Sequence, residues 1–443
     1  MNNKITKVEK ITSTSVEKGN VFVDYDKNGN VISWVDRKHQ VTRYAEVLSH
    51  INDYASMNGY DFKVSSDQVQ RVHECGEYRE YKSYVNAKTK DVMDNKLHRA
   101  FFCKRRLCPQ CMWLRTLSES HINGLALTAI HEDHKSAYGY FLTLTVKNVD
   151  GPRLSDEITH IASSFTKLMR KTRIKKYLLG YSRAIEVTYN KEKDTYHPHI
   201  HAILIFKSSL RNSEGGIFKQ SKKNGQNEFI DMWQDAAGLD YRPSITIEQY
   251  TKAKTYIGKY GKHKGKRIHK SREENIMSSA YELTKYPSKI SDSAKAIPIY
   301  EESTQSEEKT IVGYDFQYDL EKLFFLERGY YNKRLMTYGG IVKEYRTKVK
   351  KRLLEEAIAA ELQDEYEFTY TDGNGKEVHQ KLTEEDILYN YFRVRFNHAE
   401  KYQDKAFVVS EIDQHLTARE FEAKYGYKKT EDDDDLEIAK NIL

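Results

Sequence analysis

Long apolar segments are missing from this 443-residue chain, and proline and cysteine are scarce. No run approaches the roughly 20 apolar residues of a membrane-spanning helix, which argues against an integral membrane protein. Six prolines exclude a collagen-like chain, and four cysteines are too few for a disulfide scaffold. No apolar stretch follows the N-terminal lysines, so we expect neither a secretory signal nor a transit sequence, and a cytoplasmic location without membrane contact.

Positive charge is in slight excess and unevenly distributed. Lys and Arg total 72 against 65 Asp and Glu, a formal net charge of +7. Residues 252–272 contain basic side chains and no acidic one, whereas residues 431–437 are mostly acidic. Tyrosine is frequent, with 33 residues. Aromatic side chains next to positive charge suit stacking on unpaired bases, although a tyrosine-rich core and surface is the simpler explanation of the tyrosines alone.

The pattern along the chain predicts an α+β protein with a central antiparallel sheet, flanking helices and a mainly helical C-terminal region. Residues 1–65 are an N-terminal extension, and residues 66–290 form the main domain. Residues 288–309 resemble a linker in composition. Residues 310–443 complete the chain with helices, a hairpin turning at Asp372 to Gly375 and an acidic tail.

All the cysteines fall within a short stretch that ends in a knuckle, Cys-Pro-Gln-Cys. The two-residue gap lets such a knuckle present two thiolates to one tetrahedral Zn²⁺, and two more cysteines complete a closed structural site. The alternative is four unrelated reduced thiols. Arg105 and Arg106, between Cys103 and the knuckle, either contact DNA phosphate or are simply solvated. The predicted zinc ligands are Cys75, Cys103, Cys108 and Cys111.

Residues 184–206 predict an antiparallel hairpin with three histidines on one strand face. Period two places His197, His199 and His201 together, and a turn near residue 193 places Glu186 across from the last two. Two imidazoles and one carboxylate leave coordination positions open, as a catalytic divalent ion requires. Whether His197 or Glu186 is the third ligand stays open. Histidines satisfied within a core, or an exposed cluster, are the ordinary alternative.

The His-Ile-His pair within residues 197–201 resembles the signature of HUH endonucleases. Further segments are similar to the rolling-circle replication initiators, or Rep proteins, of Gram-positive bacterial plasmids: residues 141–146, the cysteine knuckle with residues 113–115, and residues 323–343. The resemblance runs from about residue 70 to about residue 350. It implies a DNA endonuclease and strand transferase that uses Mn²⁺ or Mg²⁺ and makes residues 66–290 its nicking domain.

The basic segment carries the candidate nucleophiles, Tyr256 and Tyr260. Thr246 and Gln249 form a possible capping box, so we expect a helix over residues 247–259 with both tyrosines on one face. A tyrosine would attack a DNA phosphodiester and leave a 5′-phosphotyrosyl bond and a free 3′-OH. Alternatively the tyrosines belong to an amphipathic core stripe. Lys259 would pair with phosphate or lower the phenol pKa, and the predicted DNA contacts here are Lys262, Lys264, Lys266 and Arg267.

One position departs from the plasmid family. Its best known members have a glutamate four residues before the nucleophile, thought to activate water at termination, where this chain has Tyr256. Tyr-x-x-Lys-Tyr instead resembles the two-tyrosine phage initiators, in which the tyrosines alternate. We favour that mechanism over Glu248 acting as the base.

No P-loop sequence occurs, so unwinding must come from a partner. The resemblance implies single-stranded and hairpin origin DNA as substrate, with a host helicase, single-strand binding protein and polymerase. The region after residue 300 is a candidate surface for the origin duplex, the helicase or a second subunit in a homodimer. Two other functions stay open. One is a non-catalytic, zinc-containing nucleic-acid-binding module, and the other is a relaxase or transposase of the same superfamily.

Overall fold

The computed structural model describes residues 21–22, 32, 34–210, 216–218, 228–257, 267–285, 296–302, 309–316, 320–361, 365–372, 374–397 and 407–426. Its helices are α1 (Trp34–Ser49), α2 (Ile51–Met57), α3 (Ser66–His73), α4 (Pro109–Asp133), α5 (Leu154–Arg170), α6 (Thr172–Lys175), α7 (Glu228–Ala236), α8 (Arg272–Lys285), α9 (Leu320–Tyr330), α10 (Ile341–Glu361) and α11 (Ala418–Tyr425). Its strands are β1 (Val21–Phe22), β2 (Tyr78–Asn86), β3 (Val92–Ala100), β4 (Tyr138–Thr145), β5 (Leu178–Asn190), β6 (Thr195–Phe206), β7 (Ile245–Gln249), β8 (Lys254–Ile257), β9 (Arg267–Lys270), β10 (Ala296–Glu302), β11 (Lys309–Phe316), β12 (Met336–Gly340), β13 (Glu365–Thr371), β14 (Glu377–Thr383), β15 (Ile387–Phe396) and β16 (Phe407–Leu416). Lys259, Tyr260, Lys262, Lys264 and Lys266 lie outside the described residues.

A long hairpin of β5 and β6 forms the centre of a five-stranded antiparallel sheet with the order β12-β5-β6-β4-β7. At its turn the Asn190 side chain accepts hydrogen bonds from the backbone N–H groups of Glu192 and Lys193, both at 3.1 Å. This arrangement is typical of asparagine in tight turns. The resulting register places Glu186 directly opposite His199, as the alternation of the sequence predicts.

The two faces of this sheet pack against different helices, because successive side chains point to opposite sides. On one face Ile200, Ala202 and Leu204 join the main core, which includes Ile158 and Phe165 of α5. On the other face, the apolar residues of β6 pack with residues of α4, α8 and α10: Ile203, Ile205, Leu127, Ala280, Leu283 and Val342. The polar cluster of the hairpin lies on this second face.

A second five-stranded sheet, with the order β1-β16-β15-β2-β3, joins the two ends of the described chain. β2 pairs with β15 from Tyr78↔Arg395 to Asn86↔Ile387, and the rings of Tyr81 and Phe392 stack across the pair at 5.1 Å. Strands from both sides of the boundary expected near residues 290–310 therefore lie in one sheet.

The prediction of a mainly helical C-terminal region is wrong beyond α10. β13 and β14 form the hairpin predicted at residues 372–375, and β15 and β16 complete the second sheet. The segment with linker-like composition contains β10, which pairs with β11 immediately after it. Pairing of β15 with β2 is a long-range contact that local helical patterns do not register.

The helix predicted over residues 247–259 is also wrong for its described part. Residues 245–249 form β7, which pairs with β4, and residues 254–257 form β8, which pairs with β9. The capping-box spacing of Thr246 and Gln249 is thus overridden by hydrogen bonding to the edge of the central sheet.

The α+β class and the central antiparallel sheet are confirmed. Helices flank the sheet on both faces. None of the helices in the described ranges combines the length and the apolar character needed to cross a bilayer.

Candidate metal centre

Glu186, His199 and His201 converge on one face of the β5–β6 hairpin. The Oε2 atom of Glu186 lies 3.1 Å from Nε2 of His199 and 3.0 Å from Nε2 of His201. All three side chains are buried, with Glu186 only 1% exposed. One ligand atom from each lies within 4.8 Å of the others, a spacing that lets them share a single metal ion.

The hydrogen bond at the far side of His199 fixes how its ring faces the carboxylate. Nδ1 of His199 lies 3.1 Å from the backbone oxygen of His197, to which it can only donate. In a neutral ring Nε2 is then an acceptor, and it faces a carboxylate oxygen that is also an acceptor. Two buried acceptors at this distance require a positive charge between them, either a proton or a metal cation. Metal-binding histidines typically donate the N–H of their other ring nitrogen to a backbone or carboxylate oxygen, as Nδ1 of His199 does here.

His201 is held in a similar way. Its Nδ1 lies 3.1 Å from the Thr143 hydroxyl of β4. Burial lowers the pKa of the His201 imidazole, whereas the hydrogen bond to Glu186 and the charges of Glu186 and Glu282 act in the opposite direction. The net lowering favours the neutral ring, the form that binds metal.

His197 is not part of the converging group. Its ring centroid lies 5.2 Å from that of His199, and its side chain lines a separate surface cleft with Asn148 and Thr188. Burial, followed by the charge of His199, lowers its pKa. Of the two candidates for the third ligand, the structure brings Glu186 to the other histidines.

The four cysteines form a second candidate metal centre. Sγ of Cys75 lies 3.6 Å from that of Cys108 and 3.5 Å from that of Cys111, and Sγ of Cys103 lies 3.6 Å from that of Cys111. These distances are far longer than a disulfide bond. They approach the separation of about 3.8 Å between ligands in a tetrahedral site whose metal–sulfur bonds are about 2.3 Å. The donor set fits one tetrahedral metal ion.

Burial disfavours thiolates in this cluster unless a cation is bound. Cys75 and Cys108 are fully buried, and burial raises the pKa of both thiols well above the usual value. Four thiolates in such a place would repel one another, and a bound metal ion offsets that repulsion. The backbone N–H of Lys104 also donates to Sγ of Cys111, at 3.2 Å.

The two arginines just before the knuckle bind it to α9. Arg105 forms an ion pair with Glu327 at 2.8 Å and donates to the Tyr44 hydroxyl at 2.9 Å, and Tyr44 in turn donates to Glu327. Arg106 donates to the backbone oxygen of Tyr330. Both arginines thus have partners within the protein, so the structure does not favour them as DNA contacts.

The same helix ends near the strand that carries Glu186. Burial raises the pKa of the Tyr330 phenol, and the nearby Glu186 carboxylate raises it further. Tyr330 and Val187 both belong to the main core, on the face of the sheet opposite to Glu186. α9 therefore lies against the strand that carries the carboxylate, and not against the carboxylate itself.

We expect Glu327→Gln to destabilise the protein by about 2 kcal/mol, because it removes the charge that faces Arg105 in a nearly buried place. Urea unfolding monitored by circular dichroism measures this change. Glu321→Gln, at an exposed position of the same helix, is the control and should unfold like the wild type. Equal stability of the two variants would contradict the structural role of the ion pair.

The structure describes only part of the predicted tyrosine motif. Tyr256 lies in β8, opposite Ile268 of β9, in a two-stranded sheet separate from the central one. Arg267, a predicted DNA contact, is exposed at the start of β9. Tyr260 and its neighbouring lysines fall outside the described residues.

Sequence reasoning missed the contribution of α8. Its Glu282 lines the same cavity as Thr143, and its charge acts on His201. The available signal is that Tyr286 follows Glu282 by four residues, the glutamate–tyrosine spacing already noted for the plasmid Rep proteins. Tyr286 itself lies outside the described residues.

Comparisons with known proteins place the chain in a family. The family described as "Replication protein" matches residues 94–391, about two thirds of the chain. A "Protein rep" of Streptococcus pneumoniae serotype 2 is 30% identical over 330 residues, covering 74% of this chain and 83% of the relative. One from Lentilactobacillus hilgardii is 29% identical and covers 77% and 89%, and one from Bacillus amyloliquefaciens is 29% identical and covers 73% and 84%. No solved structure matches the chain.

The chain belongs to this family of replication proteins. More particularly, it is related along most of its length to Rep proteins of Gram-positive bacteria. The family indicated by the sequence motifs is thereby confirmed.

Proposed function

We propose that this Rep protein initiates rolling-circle replication of a plasmid by metal-dependent nicking and joining of single-stranded origin DNA. The convergence of Glu186, His199 and His201 supports this proposal most directly. A carboxylate and two imidazoles suit a divalent ion with open positions, and Mn²⁺ or Mg²⁺ held there would polarise the scissile phosphate. Membership of the replication-protein family supports origin DNA as the substrate.

The chemistry assigned to the chain is the attack of a tyrosine on the scissile phosphate. The phenolic oxygen bonds to phosphorus while the bond from phosphorus to the 3′ oxygen breaks. The phenol gives up its proton, and the leaving 3′ oxygen takes one up. The products are a 5′-phosphotyrosyl bond and a 3′-OH that primes synthesis by a host polymerase.

Two tyrosine motifs compete for this role. The first is Tyr256 with Tyr260 and Lys259, as the sequence predicts. The second is Tyr286, which is preceded by a lysine and carries a glutamate, Glu282, at the spacing of the plasmid relatives. The position of Glu282 beside Thr143 and its effect on the pKa of His201 favour the second motif. In that case Glu282 would activate water at termination.

A covalent DNA–protein adduct is the direct test. The protein is incubated with a labelled single-stranded origin library and Mn²⁺, then run on a denaturing gel, beside Tyr256→Phe, Tyr260→Phe and Tyr286→Phe. We expect an adduct that needs the metal and disappears with Tyr286→Phe. Tyr281→Phe, on an exposed tyrosine of α8, is the matched control and should keep the adduct.

Other outcomes assign the role differently. Loss of the adduct with Tyr260→Phe alone would identify Tyr260, in the basic residues 252–272, as the nucleophile. Loss only in the double variant of Tyr256 and Tyr260 establishes two alternating tyrosines. If DNA binds but no strand is cut with any metal, the protein is a non-catalytic binding module.

The remaining assignments follow from the same proposal. The cysteine site is proposed to hold a structural Zn²⁺ that takes no part in the chemistry. Exposed Arg267, together with Lys262, Lys264 and Lys266, is proposed to contact the DNA backbone. The protein would work in the bacterial cytoplasm with single-stranded and hairpin origin DNA, a host helicase and a single-strand binding protein.

A further inference from the structure

A cavity of about 650 Å³ lies beside the metal centre, between the β4–β7 edge of the central sheet and α8. Two of its residues also contact His201: the Thr143 hydroxyl lies 3.1 Å from Nδ1, and the Phe141 ring centroid lies 5.7 Å from the imidazole centroid. A ligand in this cavity would therefore be next to a phosphate held at the metal centre.

The cavity wall is rich in hydrogen-bond acceptors. The amide nitrogen of Asn275 donates to the backbone oxygen of Lys252 at 2.6 Å, and that of Gln249 donates to the Thr251 hydroxyl at 3.2 Å. Each amide thus offers its oxygen to a ligand. The carboxylates of Glu248 and Glu282 also line the cavity. A ligand that carries N–H donors matches this wall.

The remaining lining groups suit a nucleotide. Phe141 offers a half-buried aromatic ring on which a base can stack. Lys270, whose ammonium donates to the Ser278 hydroxyl at 2.7 Å, supplies a positive charge for the backbone. The two carboxylates repel a phosphate, so the base rather than the phosphate is the part that enters.

We propose that this cavity binds one base of the single strand, next to the scissile phosphate, and prefers bases with an exocyclic amino group. The preference arises because a carbonyl oxygen that faces the amide oxygens of Gln249 and Asn275 would be left without a hydrogen-bond donor, while the Lys270 ammonium is assigned to the backbone. The position next to the scissile phosphate rests on the proposed nicking function. The cavity would then determine part of the sequence specificity.

Two probes that differ at the pyrimidine edge test the preference. Fluorescence anisotropy measures the affinity of the full-length protein for labelled 15-mers of deoxycytidine and deoxyuridine, at fixed salt and without divalent metal. Cytosine has an amino group where uracil has a carbonyl oxygen. We expect the deoxycytidine strand to bind at least about fivefold more tightly.

Substitutions of Phe141 and Gln249 test which side chains bind the base. Phe141→Ala should lower the affinity for both strands by roughly tenfold. Phe141→Tyr should keep the affinity, because the stacking ring is retained. Gln249→Met should bring the ratio of the two affinities towards one, since it removes an acceptor and keeps the side-chain length. Tyr331→Ala, which removes an exposed aromatic ring elsewhere, is the control and should bind like the wild type.

The outcomes separate this inference from the proposed function. Equal affinity for the two strands, or an unchanged affinity in Phe141→Ala, overturns the base-binding cavity, even if the adduct assay demonstrates nicking. A cytosine preference that depends on Phe141 and Gln249 supports base binding, even if no adduct forms and the nicking function fails. Thermal melting of each variant verifies that it is folded before affinities are compared.

Discussion

His201→Ala is expected to abolish divalent-metal binding and to slow adduct formation by at least about a thousandfold. His201 supplies one of three converging ligand atoms, and the metal contributes several kcal/mol of charge stabilisation to a phosphoryl transition state. Calorimetric titration with Mn²⁺ and the rate of adduct formation measure the two effects. His197→Ala is the matched control, because His197 lies on the same strand but outside the converging group.

The two histidine variants decide which residues bind the metal. If His201→Ala loses most of its Mn²⁺ affinity and His197→Ala loses little, the centre is made by Glu186, His199 and His201. Comparable losses in both would add His197 to the ligands. Full metal binding by His201→Ala would contradict the assignment of this centre.

Substitution of Glu186 tests the same centre by its effect on thermal stability. Its buried carboxylate faces the acceptor nitrogen of His199, so in a chelator solution Glu186→Gln, whose amide can donate to that nitrogen, should raise the midpoint of thermal unfolding while it eliminates metal binding. A residue that serves only packing would not show a gain in stability together with a loss of metal.

Cys108→Ala is expected to release the structural metal and to lower the free energy of unfolding by about 3–5 kcal/mol. Loss of a metal site is among the few single changes with so large an effect. Native mass spectrometry counts the bound zinc, and urea unfolding measures the stability. Ser164→Ala, at a fully buried serine in α5, controls for shortening a small buried side chain and should cost much less.

The connection through α9 makes this prediction sharper. The knuckle holds α9 through Arg105 and Arg106, and the charge of Glu186 acts through the sheet on Tyr330 at the end of that helix. We therefore expect Cys108→Ala to weaken Mn²⁺ binding as well as zinc binding. Retention of zinc in this variant would show that the four thiols do not share one ion.

The metal centre was predictable because strand periodicity is local information. A turn near residue 193 and a repeat of two are enough to place Glu186 opposite His199, and the structure has that register. The helix around Ile158 and Phe165 was equally accessible, since its buried residues recur with helical spacing. In both cases the pattern lies within about 20 residues.

The errors arise where distant contacts decide the structure. Thr246 and Gln249 have the spacing of a helix start, but hydrogen bonding to the edge of β4 makes them part of strand β7. Residues 387–396 become a strand because β2 and β16 lie on either side. The spacing of Glu282 and Tyr286 is visible in the sequence, but the proximity of α8 to His201 is a long-range contact that only the structure supplies.

The second sheet also affects how the chain is made. β2 finds its partner β15 only about 300 residues later. At a synthesis rate of about 5–20 residues per second, a nascent β2 waits about 15–60 s with that edge open. An unpaired strand edge can pair with another chain and lead to aggregation, or be bound by a chaperone. Chains that end before β15 are therefore expected to be insoluble, and the last strands to leave the ribosome complete the fold begun by the first ones.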